Sequence, residues 1–263
     1  MRLFCLRARP LLAAVVLCCW ALAAPAAGAA PSSVTPVDLY QVSTIAALTA
    51  GLYTGEMPLS EVARHGDFGL GTLVDLDGEM IVLDGVFYQA KSDGTVRVVP
   101  PSAKTPFAQV VFFQGNLDLG RADGLDLDGL KAALAARLPD PDHFYAVRVE
   151  GTFTTLTARS APAQKKPWPP LVEALKSQVL FPLSQVTGTM VGIYSPPAAP
   201  GLAPTGWHFH FLTADRRQGG HVLAATVGKA AARGDVVKVL TVTFPDQPFP
   251  HPEAVKPLPP GTE

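Results

Sequence analysis

The chain has 263 residues, with 21 basic and 22 acidic side chains and a net charge of −1. Near neutrality leaves no electrostatic footprint for nucleic acid or an anionic membrane surface, so neither is an expected partner. Hydrophobic residues at 48% against charged residues at 16% exclude an intrinsically disordered chain. With 23 glycines and 26 prolines, turns and loops are numerous.

Residues 1–29 read as a secretory signal peptide. Arg2, Arg7 and Arg9 form a positive lead. An apolar run over 11–24 follows, too short for a comfortable membrane span and suited to the core of a signal. The small residues Ala24-Pro25-Ala26 and Ala27-Gly28-Ala29 offer cleavage sites, with cleavage expected near Ala29. Removing the three arginines takes the net charge from −1 to −4. All three cysteines (Cys5, Cys18 and Cys19) leave with the segment, so the mature chain has neither disulfide nor thiolate chemistry. The expected location is periplasmic or secreted, with no membrane attachment after cleavage.

Along the mature chain, 31–38 is a polar, proline-containing lead. A short helix is expected over 43–52 with Ser43 as N-cap. A second is expected over 58–65, with Pro58 in its first turn and Gly66 beyond its end. Short strands follow at 69–76, 80–83, 86–90 and 96–99. They are separated by Asp77-Gly78, Asp84-Gly85 and Asp93-Gly94, each a hairpin signal. Residues 109–113 form a continuous apolar run expected as a buried strand. Residues 127–138 carry apolar side chains at helical spacing and stop before Pro139.

Strand character returns over 144–156. The stretch APAQKKPWPP (161–170) reads as a linker or crossing loop, and 171–179 as a short amphipathic helix. Strands are then expected at 186–194, 206–212, 220–227 and 236–244, ahead of a proline-rich tail over 245–263. The expectation is an α+β, β-rich fold: two domains built on mixed or antiparallel sheets with short helices. The expected divisions are 1–29 (signal), 30–165 (N-terminal) and 166–263 (C-terminal, with the tail).

Three of the six histidines lie close together, in GWHFHFLTADRRQGGHV. His208 and His210 are two apart, which on a strand puts both imidazoles on one face. The turn signal in ADRRQGG lets the next strand return antiparallel and set His221 opposite them. Neutral imidazole is a good ligand for zinc and similar divalent ions. Three such ligands leave a coordination position open, as a catalytic site requires. His65, His143 and His251 have no such company and read as loop or cap residues. Arg148, inside an apolar strand, calls for an ion-pair partner, while Arg216 and Arg217 fall in a solvated turn.

The same histidine hairpin resembles that of the α-acetolactate decarboxylase family. GDFGLGT, LDGE, FYAVRVEGTFTTLTAR, KPWPPLVEALKSQ and VTGTMVGIYSPP follow in that family's order, and the resemblance covers roughly residues 40–245. It implies conversion of the small-molecule substrate acetolactate into acetoin and carbon dioxide. It implies Zn2+ held by His208, His210 and His221, catalytic roles for Glu79 and Arg159, and a substrate-binding role for Thr72. It further implies a glutamate supplied by the C-terminal tail, Glu263 or Glu253, with the terminal Glu263 preferred. A homodimer and a site between two domains are likewise implied.

The residues themselves leave two other readings open. An H-x-H pair also occurs in cupin-like oxygenases and isomerases, although FLTADRR after His210 lacks the glutamate usual there. A non-catalytic periplasmic metal-binding module would need the histidines but not Glu79 and Arg159 in a shared pocket.

Overall fold

A computed structural model describes residues 35–244, 246 and 248. The expected signal segment 1–29, His251 and the tail glutamates Glu253 and Glu263 lie outside the described residues. Among the described residues the elements run β1 (Val37–Val42), α1 (Ile45–Thr49), β2 (Met57–Pro58), α2 (Leu59–Val62), β3 (Phe68–Thr72), β4 (Glu79–Leu83), β5 (Val86–Ala90), β6 (Val96–Val98), β7 (Lys104–Thr105), β8 (Phe107–Val111), β9 (Leu117–Arg121), α3 (Leu127–Ala135), β10 (Phe144–Ser160), α4 (Leu171–Ala174), β11 (Val179–Ser195), β12 (Gly206–Thr213) and β13 (Gly219–Thr243). The fold is β-rich with few, short helices, as the alternating apolar runs imply. No described helix is long and apolar enough to cross a membrane.

The main sheet has the order β10-β11-β12-β13-β1-β8-β3-β4-β5-β6. β1 pairs with β13 in parallel and its other pairings are antiparallel, so the sheet is mixed. A further pairing of β10 with β13 closes β10, β11, β12 and β13 into a ring. Strands from both sides of position 165 therefore share one sheet, and 161–170 is the irregular connection from β10 to α4.

Local chemistry explains most elements. Asp84 (φ 52°) and Gly85 (φ 78°) are both left-handed, as a two-residue hairpin between β4 and β5 favours. α3 starts at Asp126, whose carboxylate accepts from the Gly129 N–H at 2.7 Å. Its Leu127, Leu130 and Leu134 join Val147, Phe153 and Phe211 in the core of the strand ring. Gly69 and Gly71, in the GDFGLGT segment, let β3 lie close on β8. A Cβ would stand 2.0 Å from the Gln109 carbonyl oxygen at the first and 2.3 Å from that of Phe107 at the second.

Several elements differ from the sequence expectation. Thr44, not Ser43, caps α1, its hydroxyl accepting from the Ala47 N–H at 3.1 Å. Ser43 instead takes φ 61° ahead of the helix. β3 stops at Thr72, and residues 73–78 form a loop containing a distorted 3-10 turn at Val74–Leu76 rather than more strand. The strands expected at 220–227 and 236–244 are one 25-residue strand, β13. The small, polar stretch between them stays extended because β10 pairs with it throughout, through bulges. β1 was hidden in a run interrupted by Asp38 and Gln41. The buried Gln41 amide is satisfied by the Ser43 and Leu202 carbonyls and by Gln109, so polarity there does not oppose a central strand.

Candidate active site

β12 and β13 build the histidine cluster as the spacing implies. His208 and His210 project from one face of β12, and His221 on β13 stands directly opposite His210. All three are buried. His208 Nε2 lies 3.2 Å from His210 Nε2 and 3.1 Å from His221 Nδ1. One ligand atom from each lies within 4.8 Å of the others. Bond lengths of 2.0–2.1 Å in a tetrahedral site place ligand nitrogens about 3.3 Å apart, which the two separations at His208 match, so this donor set could hold a divalent ion.

The surroundings keep the His208 and His210 rings neutral. His210 Nδ1 donates to the Met80 carbonyl at 2.8 Å, which leaves the lone pair on Nε2, facing the cluster. Burial drives the His210 pKa down to about 3 and that of His208 well below its ordinary value, and the nearby Arg159 charge adds to both effects. An imidazole that cannot hold a proton at neutral pH is ready to ligate.

Glu79 and Arg159 come to the same place from other strands. Glu79 opens β4, and its Oε2 lies 3.4 Å from His210 Nε2. Its Oε1 lies 3.7 Å from an Arg159 guanidinium nitrogen. Burial pushes the Glu79 carboxyl up to about 7, with the Arg159 charge pulling against it. Arg159 sits on β10 opposite His221. Burial lowers its pKa and the carboxylate beside it raises it; a guanidinium nevertheless stays charged.

Thr72 faces Glu79 across β3 and β4. Its hydroxyl donates to the Gly78 carbonyl at 2.7 Å, so its proton is committed to closing the loop ahead of Glu79. Thr72 also lines the cavity onto which the cluster opens. The walls are apolar: Ile45 and Leu48 from α1, Leu171 and Leu175 from α4 and the turn after it, and Leu76 and Phe107. The sequence reading did not mark these six. Apolar side chains on short helices carry the same signal whether they face a core or a ligand.

The remaining charged candidates lie elsewhere. Arg148 pairs with Asp84 at 2.8 Å and Glu150 at 3.1 Å, the structural role its strand position called for. His65 stacks on Tyr40 and sits 3.3 Å from Glu61, and His143 lies 3.0 Å from Asp140. Arg216 lies in the β12–β13 turn over the Tyr88 ring, with Arg217 exposed beside it.

The sequence profile of the family described as alpha-acetolactate decarboxylase matches residues 39–251. The alpha-acetolactate decarboxylase of Methanosarcina mazei is 42% identical over 207 residues, covering 79% of this chain and 72% of that one. That of Methylococcus capsulatus is 42% identical over 209 residues, covering 80% of each. The crystal structure of alpha-acetolactate decarboxylase from Bacillus subtilis strain 168 superposes with a TM-score of 0.78 at 36% identity, covering 80% of this chain and 90% of that one. With the profile spanning most of the chain and relatives this similar, the protein belongs to the α-acetolactate decarboxylase family.

Proposed function

We propose that this chain decarboxylates 2-acetolactate to acetoin and carbon dioxide, as the names of its relatives imply, and that the ion held by His208, His210 and His221 is zinc. The observation that carries the reading is that Glu79 and Arg159 share one buried cavity with the three histidines. A module that only bound metal would have no use for a buried acid and guanidinium there.

Acetolactate is a β-keto acid with a tertiary hydroxyl. Losing carbon dioxide breaks the C1–C2 bond and leaves its electron pair to flow into the neighbouring ketone. Zinc, when bound, supplies a Lewis acid for that oxygen. The guanidinium of Arg159 is placed to orient the departing carboxylate through its planar fork of donors. Glu79, with a carboxyl pKa near 7, holds a proton at neutral pH in part of the population. That proton passes from its carboxyl oxygen to C2, completing acetoin and setting its configuration. A glutamate from the tail, Glu263 or Glu253, is the other group suited to this transfer. Thr72 lines the cavity and steadies the loop before Glu79. The apolar walls keep bulk water from the reacting carbon.

The same reading holds the mature protein to be periplasmic or secreted after loss of 1–29, and to act as a homodimer. The test is acetoin formation from acetolactate by the purified mature protein, before and after chelation, with elemental analysis of the bound metal. Acetoin formation no faster than the spontaneous rate, or activity indifferent to chelation, would sink the reading. Stoichiometric iron or manganese would overturn the zinc assignment.

A further inference from the structure

The loop over residues 73–78 joins Thr72 to Glu79 and carries Leu76 into the cavity wall. Asp75 (φ 63°) and Leu76 (φ 58°) are both left-handed, which is uncommon for residues other than glycine and rarer still for a bulky side chain. Such a conformation persists where its surroundings over-determine it. Here the determinants converge on Asp75. Its N–H donates to the Tyr53 carbonyl at 3.0 Å, and its own carbonyl accepts from the Gln164 N–H at 2.7 Å. Its carboxylate accepts from the Trp168 indole N–H at 3.1 Å.

Two of those partners, Gln164 and Trp168, lie in the crossing segment that runs directly into α4. α4 and the turn after it supply Leu171 and Leu175, on the same cavity as Leu76. The segment is also seated against the turn that follows α1, where a Cβ at Gly51 (φ 95°) would lie 2.8 Å from the Pro169 carbonyl oxygen. Asp75 thus ties the wall that carries Leu76 to the wall that carries Leu171 and Leu175.

We propose that Asp75, through Trp168, is a positioning residue that sets the spacing of the apolar walls, and with it the size of alkyl group accepted at the tertiary carbon of the substrate. This rests on the decarboxylase reading above. Asp75 itself touches neither substrate nor metal in this scheme. A methylene in an apolar pocket is discriminated by packing alone, so a wall that relaxes by a fraction of an ångström registers as altered choice between homologues.

The experiment measures KM and kcat for acetolactate and for its homologue with ethyl in place of methyl at C2, using the wild type and the D75A, D75N and W168F variants. Asn keeps an oxygen acceptor and tolerates the left-handed backbone; Phe keeps the ring against Tyr53 but not the N–H. D75A and W168F are expected to raise KM for acetolactate and to lower the methyl-over-ethyl preference by about fivefold, the scale of one lost hydrogen bond, with D75N within about twofold of wild type. If D75A does not fold, W168F against D75N decides. Wild-type preference in both D75A and W168F overturns the inference while leaving the decarboxylase reading intact, as does D75N behaving like D75A. Absence of acetoin from the wild type overturns both.

Discussion

Arg159 and His221 stand opposite each other in the β10–β13 ladder, and His221 in turn faces His210 across β12 and β13. One strand therefore sets the guanidinium, and with it the Glu79 carboxyl, in fixed register with the histidine ring nitrogens. Rigid strands hold such a constellation more tightly than loops do.

Replacing His210 by Ala removes one of three converging ring nitrogens and the hydrogen bond to Met80. Metal affinity is expected to fall by more than about 100-fold, beyond what loss of an outer partner costs, and acetoin formation with it. Elemental analysis after dialysis checks this. Full metal retention in the variant would show that the ligand set is wrong.

Glu79→Gln keeps the shape of the side chain and removes its proton. Acetoin formation is expected to fall by about 10²–10⁴-fold with metal content unchanged, the range for a lost general acid. Because Glu79 and Arg159 lie 3.7 Å apart, the double variant E79Q/R159A should lose less activity than the two single losses multiplied together. The expected coupling is about 0.5–3 kcal/mol. Independent, multiplicative effects would separate the two residues functionally.

Gly69→Ala would press a methyl group to 2.0 Å from the Gln109 carbonyl oxygen on the neighbouring strand. Backbone cannot yield as a flexible side chain does. Destabilisation of about 1–3 kcal/mol or more is expected, read by denaturant unfolding. Activity should fall beyond what the unfolded fraction explains, because β3 carries Thr72 and pairs with the strand that carries Glu79. A variant of wild-type stability would refute the close-approach argument.

Phe153→Ala probes the core of the strand ring. Phe153 is fully buried and meets Phe211 edge-on, with ring centroids 5.2 Å apart. The cavity left behind is expected to cost about 3–5 kcal/mol, measured as a lowered denaturant midpoint at unchanged slope. A loss below about 1 kcal/mol would mean that the site collapses freely, which close packing in a protein interior does not permit.

Much of this was legible along the chain. Asp84-Gly85 marks its hairpin because both residues accept a left-handed backbone that few others do. Leu127, Leu130 and Leu134 mark α3 by spacing alone. The sequence predicts two strands where β13 is one because the middle, around Lys229–Gly234, has no apolar alternation; only its pairing with β10 keeps that stretch extended. β1 is hidden in the sequence for the complementary reason: Gln41 reads as polar, yet its amide is fully engaged in the interior.

The sequence by itself determined which face each histidine takes, because side-chain direction along a strand has a strict period of two. His208 and His210 had to point together, and the turn signal brought His221 to meet them. Only the tertiary structure decided who their neighbours are. Glu79 reaches within 3.4 Å of His210, and Arg159 within 3.7 Å of Glu79, because the β3–β4 hairpin lies over a ring that β10 closes against β13. The cavity walls from α1, α4 and the loop at Asp75 depend on the same long-range packing. Periodicity is a local property that a chain carries with it, whereas strand pairing and packing join residues that the sequence holds far apart.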